Sequence, residues 1–175
     1  KIKQAEVSAD EKTLAYRIRG RGTVNRLMVK DMQTGREKEL LQTEGSTVLA
    51  FAAGWALSPD GKKIAFSIRE GTDSPYVLKI ISVETGNIKD TGINDVWQIT
   101  WTDDGNHFVF TKTKNLKELW TVPIEQGEPK KLLEWNEMLL FPSIHPDGQR
   151  LAFFSGGHVS EMWAMENFLP EAMGK

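Results

Sequence analysis

Three histidines and a recurring set of aspartates are the side chains with which this sequence could bind a metal or catalyse a reaction. His107 and His145 lie in or beside tight turns of one type, whereas His158 lies in a Gly-rich connection of another type. A metal site or an acid–base pair requires its side chains to converge. The two types of connection are expected at opposite ends of the fold, so we predict neither a histidine-based catalytic site nor a bound metal.

The aspartates occupy one position in four related nine-residue segments. A carboxylate at that position suits the capping of a tight turn, and a repeated structure holds the four carboxylates apart. We therefore interpret them as turn residues and not as a catalytic carboxylate cluster. The four residues are Asp10, Asp60, Asp104 and Asp147.

Motifs for nucleophilic or phosphate chemistry are absent from the sequence. It contains no Gly-x-Ser-x-Gly, no glycine-rich phosphate loop and no His-Glu-x-x-His. It also lacks cysteine, which excludes thiol catalysis, disulfides and thiolate zinc sites. We predict no catalytic residues, no cofactor and no enzymatic activity of this chain by itself.

Charge and length exclude two further classes of function. The 175 residues carry 22 Lys and Arg against 24 Asp and Glu, and this balance argues against a general nucleic-acid or membrane-surface binder. The longest apolar stretch, Val48 to Leu57, is too short to span a bilayer. With 39% hydrophobic residues, the chain can bury a core, and its length predicts one domain or part of one.

The chain is built from an internal repeat. Segments starting at Ser8, Ser58, Thr102 and His145 align without gaps over nine positions. In the second copy, Ser-Pro-Asp-Gly predicts a tight turn, because Pro presets φ and Gly accepts the left-handed conformation. Glu11 replaces this Gly in the first copy, so we expect a strained or altered turn there.

Each repeat contains four strand-like segments over 43 to 50 residues. Alternating patterns follow every turn, and each unit then has a third strand ending in a Gly-containing turn and a short fourth strand. This period is typical of a β-propeller blade. We predict an all-β fold of four-stranded antiparallel blades over residues 1–43, 44–92, 93–134 and 135–170, the last blade lacking its fourth strand.

Two of the repeated segments resemble the repeat of TolB-type, WD40-like (PD40) β-propellers. They are Leu-Ser-Pro-Asp-Gly-Lys-Lys-Ile-Ala-Phe-Ser (57–67) and His-Pro-Asp-Gly-Gln-Arg-Leu-Ala-Phe (145–153). The segment 161–170 resembles the C-termini of bacterial multi-repeat members of this family. The resemblance implies a periplasmic or extracytoplasmic location, and it is specific for the blade rather than for a function.

Four blades are at the lower limit of closed propellers, and three arrangements follow from this count. The chain is the C-terminal part of a larger ring, half of an eight-bladed ring made by two copies, or an open or four-bladed unit. Self-association to complete a ring is therefore one expected type of partnership.

Aromatic and basic residues supply the candidate binding surface. Trp97, Trp135 and Phe141 fall where one blade hands over to the next, a place that lines the mouth of a propeller channel. Such side chains dominate protein-binding hot spots, although they equally suit packing between blades. Arg19 and Arg21 belong to an acid-free basic segment that can steer an acidic partner or form salt bridges within the fold.

These observations predict a non-catalytic, protein-binding scaffold that presents its crossover loops to a protein partner, without nucleic-acid binding or membrane insertion. The alternative is a propeller accessory domain of an enzyme, such as a peptidase, a lyase or a kinase-linked protein, that gates or supports a site elsewhere. Catalysis within the propeller itself is a weaker third hypothesis, since no convergent histidines and carboxylates are visible.

Overall fold

The structure is a computed structural model that describes residues 2–20, 24–45, 47–49, 54–125, 127–145, 147–156 and 160–166. These residues form sixteen β-strands and no helix. In the same ranges, therefore, no helix is long and apolar enough to cross a membrane. The prediction of an all-β fold is confirmed.

The strands form four antiparallel sheets in chain order, each of them one propeller blade. Blade 1 contains β1 (Ile2–Val7), β2 (Thr13–Arg19), β3 (Asn25–Asp31) and β4 (Glu37–Thr43). Blade 2 contains β5 (Thr47–Leu49), β6 (Trp55–Leu57), β7 (Lys63–Glu70), β8 (Val77–Ser82) and β9 (Ile88–Asn94). Its β5 and β6 both pair with β7 and together form the inner strand.

Blades 3 and 4 complete the described chain. Blade 3 contains β10 (Val96–Trp101), β11 (His107–Lys112), β12 (Glu118–Pro123) and β13 (Lys130–Glu134). Blade 4 contains β14 (Leu139–Ile144), β15 (Arg150–Gly156) and β16 (Ser160–Glu166). Its described residues form a three-stranded sheet, as the sequence predicts.

The repeated turns join the first and second strands of the blades, and their hydrogen bonds explain the recurring Asp. In blade 2, Ser58 Oγ donates to Asp60 Oδ1 at 2.6 Å, and the Lys62 amide donates to the same oxygen at 3.0 Å. Gly61 adopts a φ of 71°, a conformation that costs Gly little. The Asp carboxylate therefore serves the turn itself, as expected.

The first turn keeps this geometry with a residue that does not suit it. Glu11 has a φ of 59° at the position that Gly61 occupies in blade 2. The left-handed conformation is unfavourable for a residue with a Cβ atom. The expectation of a strained turn is thus confirmed, because Glu11 adopts the left-handed conformation that Gly has in the other turns.

Three apolar clusters hold neighbouring blades together. One joins blades 1 and 2, the second joins blades 2 and 3, and the third joins blades 3 and 4. Their largest members include Trp55 and Phe66 in the first, Phe108 and Phe110 in the second, and Phe153 in the third. Among the described residues, no cluster joins blade 4 to blade 1. The core therefore lies between successive blades, and each blade buries side chains on both of its faces only where it has two neighbours.

Candidate binding site at the propeller channel

A cavity of about 520 Å³ lies between the inner strands of all four blades. Its wall includes one equivalent residue from each blade, which we call the channel position. The channel positions are Glu6, Ala56, Thr100 and Ser143. The turn residues Ala9, Pro59, Asp103 and His145 also line the cavity, which therefore extends to the end of the channel where the repeated turns lie. We call this the turn end, and the opposite end the crossover end.

Glu6 is the one charged residue among the channel positions. Its Oε2 accepts a hydrogen bond from the Leu57 amide at 2.8 Å, and its Oε1 accepts one from Gln4 Nε2 at 3.2 Å. Burial raises the pKa of the Glu6 carboxyl to about 7, although both hydrogen bonds act in the opposite direction. The carboxyl group therefore links blade 1 to blade 2 and is strongly desolvated.

The inner strands are irregular towards the crossover end. The registers of β1, β10 and β14 with their neighbouring strands shift near the start of each strand, as in a β-bulge. Bulges re-aim side chains and are common beside functional sites. In β14, the bulge contains Phe141, which has a φ of 52° and a side chain that is 49% exposed.

Phe141 is held in this conformation by the neighbouring blade. Its amide donates a hydrogen bond of 2.8 Å to Oε1 of Gln98, a buried residue of β10. Gln98 directly follows Trp97 in the bulge of that strand. The bulges of β10 and β14 are therefore joined, which places the predicted residues Trp97 and Phe141 on adjacent inner strands.

Trp97 belongs to a small cluster of aromatic and basic side chains. Its ring packs edge to face on Tyr76, with the ring centroids 5.3 Å apart. The Arg69 guanidinium lies 4.9 Å from the centroid of the Tyr76 ring. This cluster joins blade 2 to the start of blade 3 and leaves the Trp97 side chain partly exposed.

Trp135, the third aromatic candidate, lies in a different environment. Its ring packs edge to face on Phe153 at 5.9 Å and on Trp163 at 5.0 Å. It also packs against the apolar cluster between blades 3 and 4. The structure therefore does not bring Trp135 together with Trp97 and Phe141.

The basic candidates are only partly described. Arg19 is exposed at the end of β2, at the crossover end of blade 1. Arg21 lies outside the described residues, as does His158.

The histidines and aspartates at the turn end have local partners. His145 Nδ1 lies 3.0 Å from Asp147 Oδ2, and Arg150 contacts the same oxygen at 2.7 Å. The backbone amide of Gln149 and the Arg150 side chain lower the pKa of Asp147 to about 2. His107 Nδ1 lies 4.0 Å from Asp104 Oδ2 in another turn. Within the described ranges, no group of three such side chains is arranged to hold a metal ion.

Two residues of the site were missed by the sequence reasoning, namely Glu6 and Gln98. Both bond across a blade boundary, to partners 51 and 43 residues away in the chain. Extending the repeat alignment two residues before each segment would have given a signal for Glu6, because the equivalent residues are Ala56, Thr100 and Ser143. An acidic residue where the other copies have small ones is not required by the blade.

The blades, their turns and the shared channel define a repeat protein of the β-propeller class. The profile of the prolyl oligopeptidase N-terminal β-propeller domain matches residues 43–132, just over half of the chain. The chain therefore belongs to this family of propeller domains. Among proteins with curated functions, none matches its sequence.

Solved structures show the same fold at low sequence identity. TolB from Acinetobacter baumannii is 18% identical with a TM-score of 0.75, and the alignment covers 95% of this chain and 41% of that one. A putative TolB from Agrobacterium tumefaciens is 14% identical with a TM-score of 0.72, over 94% of this chain and 61% of that one. A prolyl endopeptidase is 18% identical with a TM-score of 0.70, over 94% of this chain and 28% of that one.

These similarities confirm the TolB-type propeller that the repeat motif suggested. The chain spans about two fifths of the Acinetobacter TolB and just over three fifths of the Agrobacterium protein. At such identities the likeness concerns the fold, because one fold hosts many functions.

Proposed function

We propose that this chain is a non-catalytic binding module that presents the crossover end of its channel to a polypeptide. The observation that carries this proposal is the position of Phe141, half exposed and in a left-handed conformation, next to the strand that bears Trp97. Backbone strain outside glycine persists where the surrounding structure enforces it, and such strain is frequent at binding sites. An exposed aromatic ring on a rigid strand is also a typical anchor for a protein partner.

The remaining candidate residues have supporting roles in this proposal. Trp135 positions β14 by filling the junction between blades 3 and 4. Arg19 supplies positive charge at the crossover end of blade 1, which favours an acidic partner and accelerates its encounter, and Arg21 follows it two residues later in the sequence. Neither the packing by Trp135 nor the charge of Arg19 involves a catalytic step at the channel.

We propose further that the four blades are part of a larger ring. The support is a repeat position that faces the next blade and is occupied by Leu27, Leu78, Leu119 and Met162. The three leucines are completely buried, whereas Met162 is 76% exposed. A further blade on this face would bury Met162 as the next blade buries each leucine. We propose that the additional blades belong to the same polypeptide. The alternative is that two copies of the chain form a ring of eight blades.

The family match favours a second candidate function. The chain belongs to a family named for the N-terminal propeller of prolyl oligopeptidase, and one structural neighbour is a prolyl endopeptidase for which inter-domain dynamics have a role in catalysis and specificity. In this alternative, the propeller gates or supports a catalytic domain, and the polypeptide at its channel belongs to the enzyme or its substrate. A periplasmic or extracytoplasmic location is also proposed, on the resemblance to TolB alone.

Site-specific photocrosslinking in the intact gene product tests these alternatives. A benzophenone amino acid replaces Phe141 in one variant and Met32 in a matched control, because Met32 is similarly exposed at 48% but lies in an outer turn of blade 1. We expect a polypeptide crosslink from position 141 that Trp97→Ala weakens, and no such crosslink from position 32.

The identity of the crosslinked segment separates the two candidate functions. A segment of another protein supports the binding scaffold, and a catalytic segment of the same gene product supports the accessory domain. The same crosslinking pattern from both positions, or no crosslink from position 141, would contradict binding at the crossover end.

A further inference from the structure

We propose that the cavity at the turn end of the channel is a binding site for a primary ammonium group on an apolar stem, with Glu6 as its counter-ion. A lysine side chain and the amino terminus of a peptide both carry this chemistry. Phe141 is also among the residues that line this cavity, but the proposal concerns the Glu6 carboxylate and does not rest on the function proposed above.

The first argument is that the fold does not need a carboxylate at this position. The other three blades have Ala56, Thr100 and Ser143 at the channel position, and they form the same sheets. Burying an acidic group is unfavourable unless a partner compensates its charge. Glu6 is therefore a departure from the repeat that packing does not explain.

The second argument is the geometry of the carboxylate. The Leu57 amide and the Gln4 side chain each donate one hydrogen bond to it, at 2.8 Å and 3.2 Å, and so fix its orientation. A carboxylate can accept about four hydrogen bonds, so acceptor sites remain on both oxygens. Among the described residues, no Lys, Arg or His forms an ion pair with Glu6. The group is thus oriented and still lacks a cation.

The third argument is the character of the cavity wall. Its lining includes the apolar residues Leu57, Ile99 and Trp101, and none of the described residues that line it is a Lys or Arg. The Trp101 indole N–H donates to the Ala56 carbonyl at 2.9 Å, so the rest of its ring offers apolar surface. An ion pair is stronger in such surroundings than in water. The raised pKa of Glu6 is consistent with this desolvation.

The same features favour an ammonium group over a metal ion. A calcium or magnesium ion requires about six oxygen ligands, and the described residues hold no group of three acidic or imidazole side chains suited to a metal. Asp103 lies at the rim of the cavity and adds negative charge on the path of an entering cation. The volume of about 520 Å³ is sufficient for one amino-acid residue with its side chain.

Three small probes and two variants test this proposal on the 175-residue chain. The probes are acetyl-lysine methylamide, norleucine methylamide with a free amino group, and acetyl-norleucine methylamide, which has no ammonium group. Binding is followed by NMR through the Trp101 indole and Thr100 amide signals. We expect saturable millimolar binding of at least one ammonium probe, about tenfold or more tighter than that of the neutral probe.

The variants identify the counter-ion. Glu6→Gln keeps an oxygen acceptor for the Leu57 amide, and we expect it to weaken ammonium binding about tenfold or more. Glu39→Gln is the matched control, because Glu39 is an exposed residue of an outer strand that pairs with Arg26. Circular dichroism establishes that both variants are folded.

Comparison of the two ammonium probes shows whether the site prefers a side chain or an amino terminus. Equal affinity for charged and neutral probes, no binding at millimolar concentrations, or unchanged ammonium binding by Glu6→Gln would each overturn the proposal. If Glu6→Gln does not fold, the comparison of charged and neutral probes on the unmodified chain still decides it.

Discussion

The face of blade 3 that meets blade 4 and the outward face of blade 4 have the same repeat pattern but different surroundings. Leu119 of blade 3 is completely buried by blade 4, whereas Met162 occupies the equivalent position of blade 4 and is largely exposed. A blade therefore does not bury its apolar face by itself. Burial, and the stability that follows from it, belongs to the junction between neighbouring blades, as in other repeat proteins.

The opposite end of the row of blades shows the same contrast. Val7 of blade 1 is 54% exposed, and the equivalent Leu57 of blade 2 is only 7% exposed because it packs against blade 1. Both terminal faces thus carry apolar residues at positions that a neighbouring blade buries elsewhere in the chain. The following predictions use single substitutions to break or sharpen this contrast between inner and terminal positions.

The largest expected effect is at the inner junction position. Leu119→Ala removes a completely buried side chain between two blades and should lower the free energy of unfolding by about 3 kcal/mol. Met162→Ala, the matched substitution on the terminal face, should change it by less than about 0.5 kcal/mol. Urea denaturation of both variants measures the difference. Equal losses would mean that the terminal face is as well packed as the inner junction.

The second effect concerns Glu6, the titratable link between blades 1 and 2. The pKa of this carboxyl is about 7 in the folded chain against 4.5 for the unperturbed group. The folded state therefore holds its proton at pH values where the unfolded chain has lost it. Stability should fall as the pH rises from about 4.5 through about 7, and it should then become constant with respect to this group.

The size of this pH effect is at most about 3 kcal/mol, from the shift of the pKa. Glu6→Gln should remove it, which thermal unfolding at pH 5 and pH 8 would detect. Asp60 and Asp104 have lowered pKa values, so any pH dependence of stability that they contribute falls at more acidic pH. The same pH dependence in both proteins would assign the effect to other groups.

The third effect separates the two tryptophans that the sequence treated alike. Trp135→Ala removes contacts with Phe153 and Trp163 at the junction of blades 3 and 4, and should destabilise the chain by about 2 kcal/mol. Trp97→Ala removes one edge-to-face contact with Tyr76 and should cost about 1 kcal/mol. The double variant should keep its β-rich circular dichroism spectrum and lose partner binding. Loss of the fold would show that both rings are core residues.

The smallest effect is a gain in stability at the first turn. Glu11→Gly restores the residue that the other three repeats have at a position with positive φ, and should stabilise the chain by about 0.5–1 kcal/mol. The corresponding Gly61→Ala in blade 2 should destabilise it, since an added Cβ would lie 2.8 Å from Thr13 Oγ1. Denaturant midpoints of the two variants test this pair of opposite signs. A destabilised Glu11→Gly would contradict the strain assigned to that turn.

The repeat and its strands could be predicted because their causes are local. Alternation of apolar residues and the turn chemistry of Asp60 and Gly61 act within a few positions of the chain. The roles of Trp97 and Trp135 could not be separated from the sequence, because both residues lie where the chain passes from one blade to the next. Their different environments depend on which side chains of neighbouring strands meet them.

The sites at the channel depend even more on distant residues. Gln98 bonds to the Phe141 amide and Glu6 to the Leu57 amide, in each case between two blades. Sequence patterns within one repeat carry no information on such pairs. Of these channel residues, only Glu6 shows itself in a longer alignment of the four copies, as a departure from the small residues Ala56, Thr100 and Ser143.

The most direct test of the contrast between inner and terminal faces is methionine oxidation in the intact gene product. Met162 and Met32 are both exposed in this chain, but Met162 lies on the face proposed to receive a further blade, whereas Met32 lies in an outer turn. Mass spectrometry after brief hydroxyl-radical treatment should find Met162 protected and Met32 oxidised. Oxidation of Met162 as fast as that of Met32 would contradict the larger ring and leave blade 4 as a terminal blade.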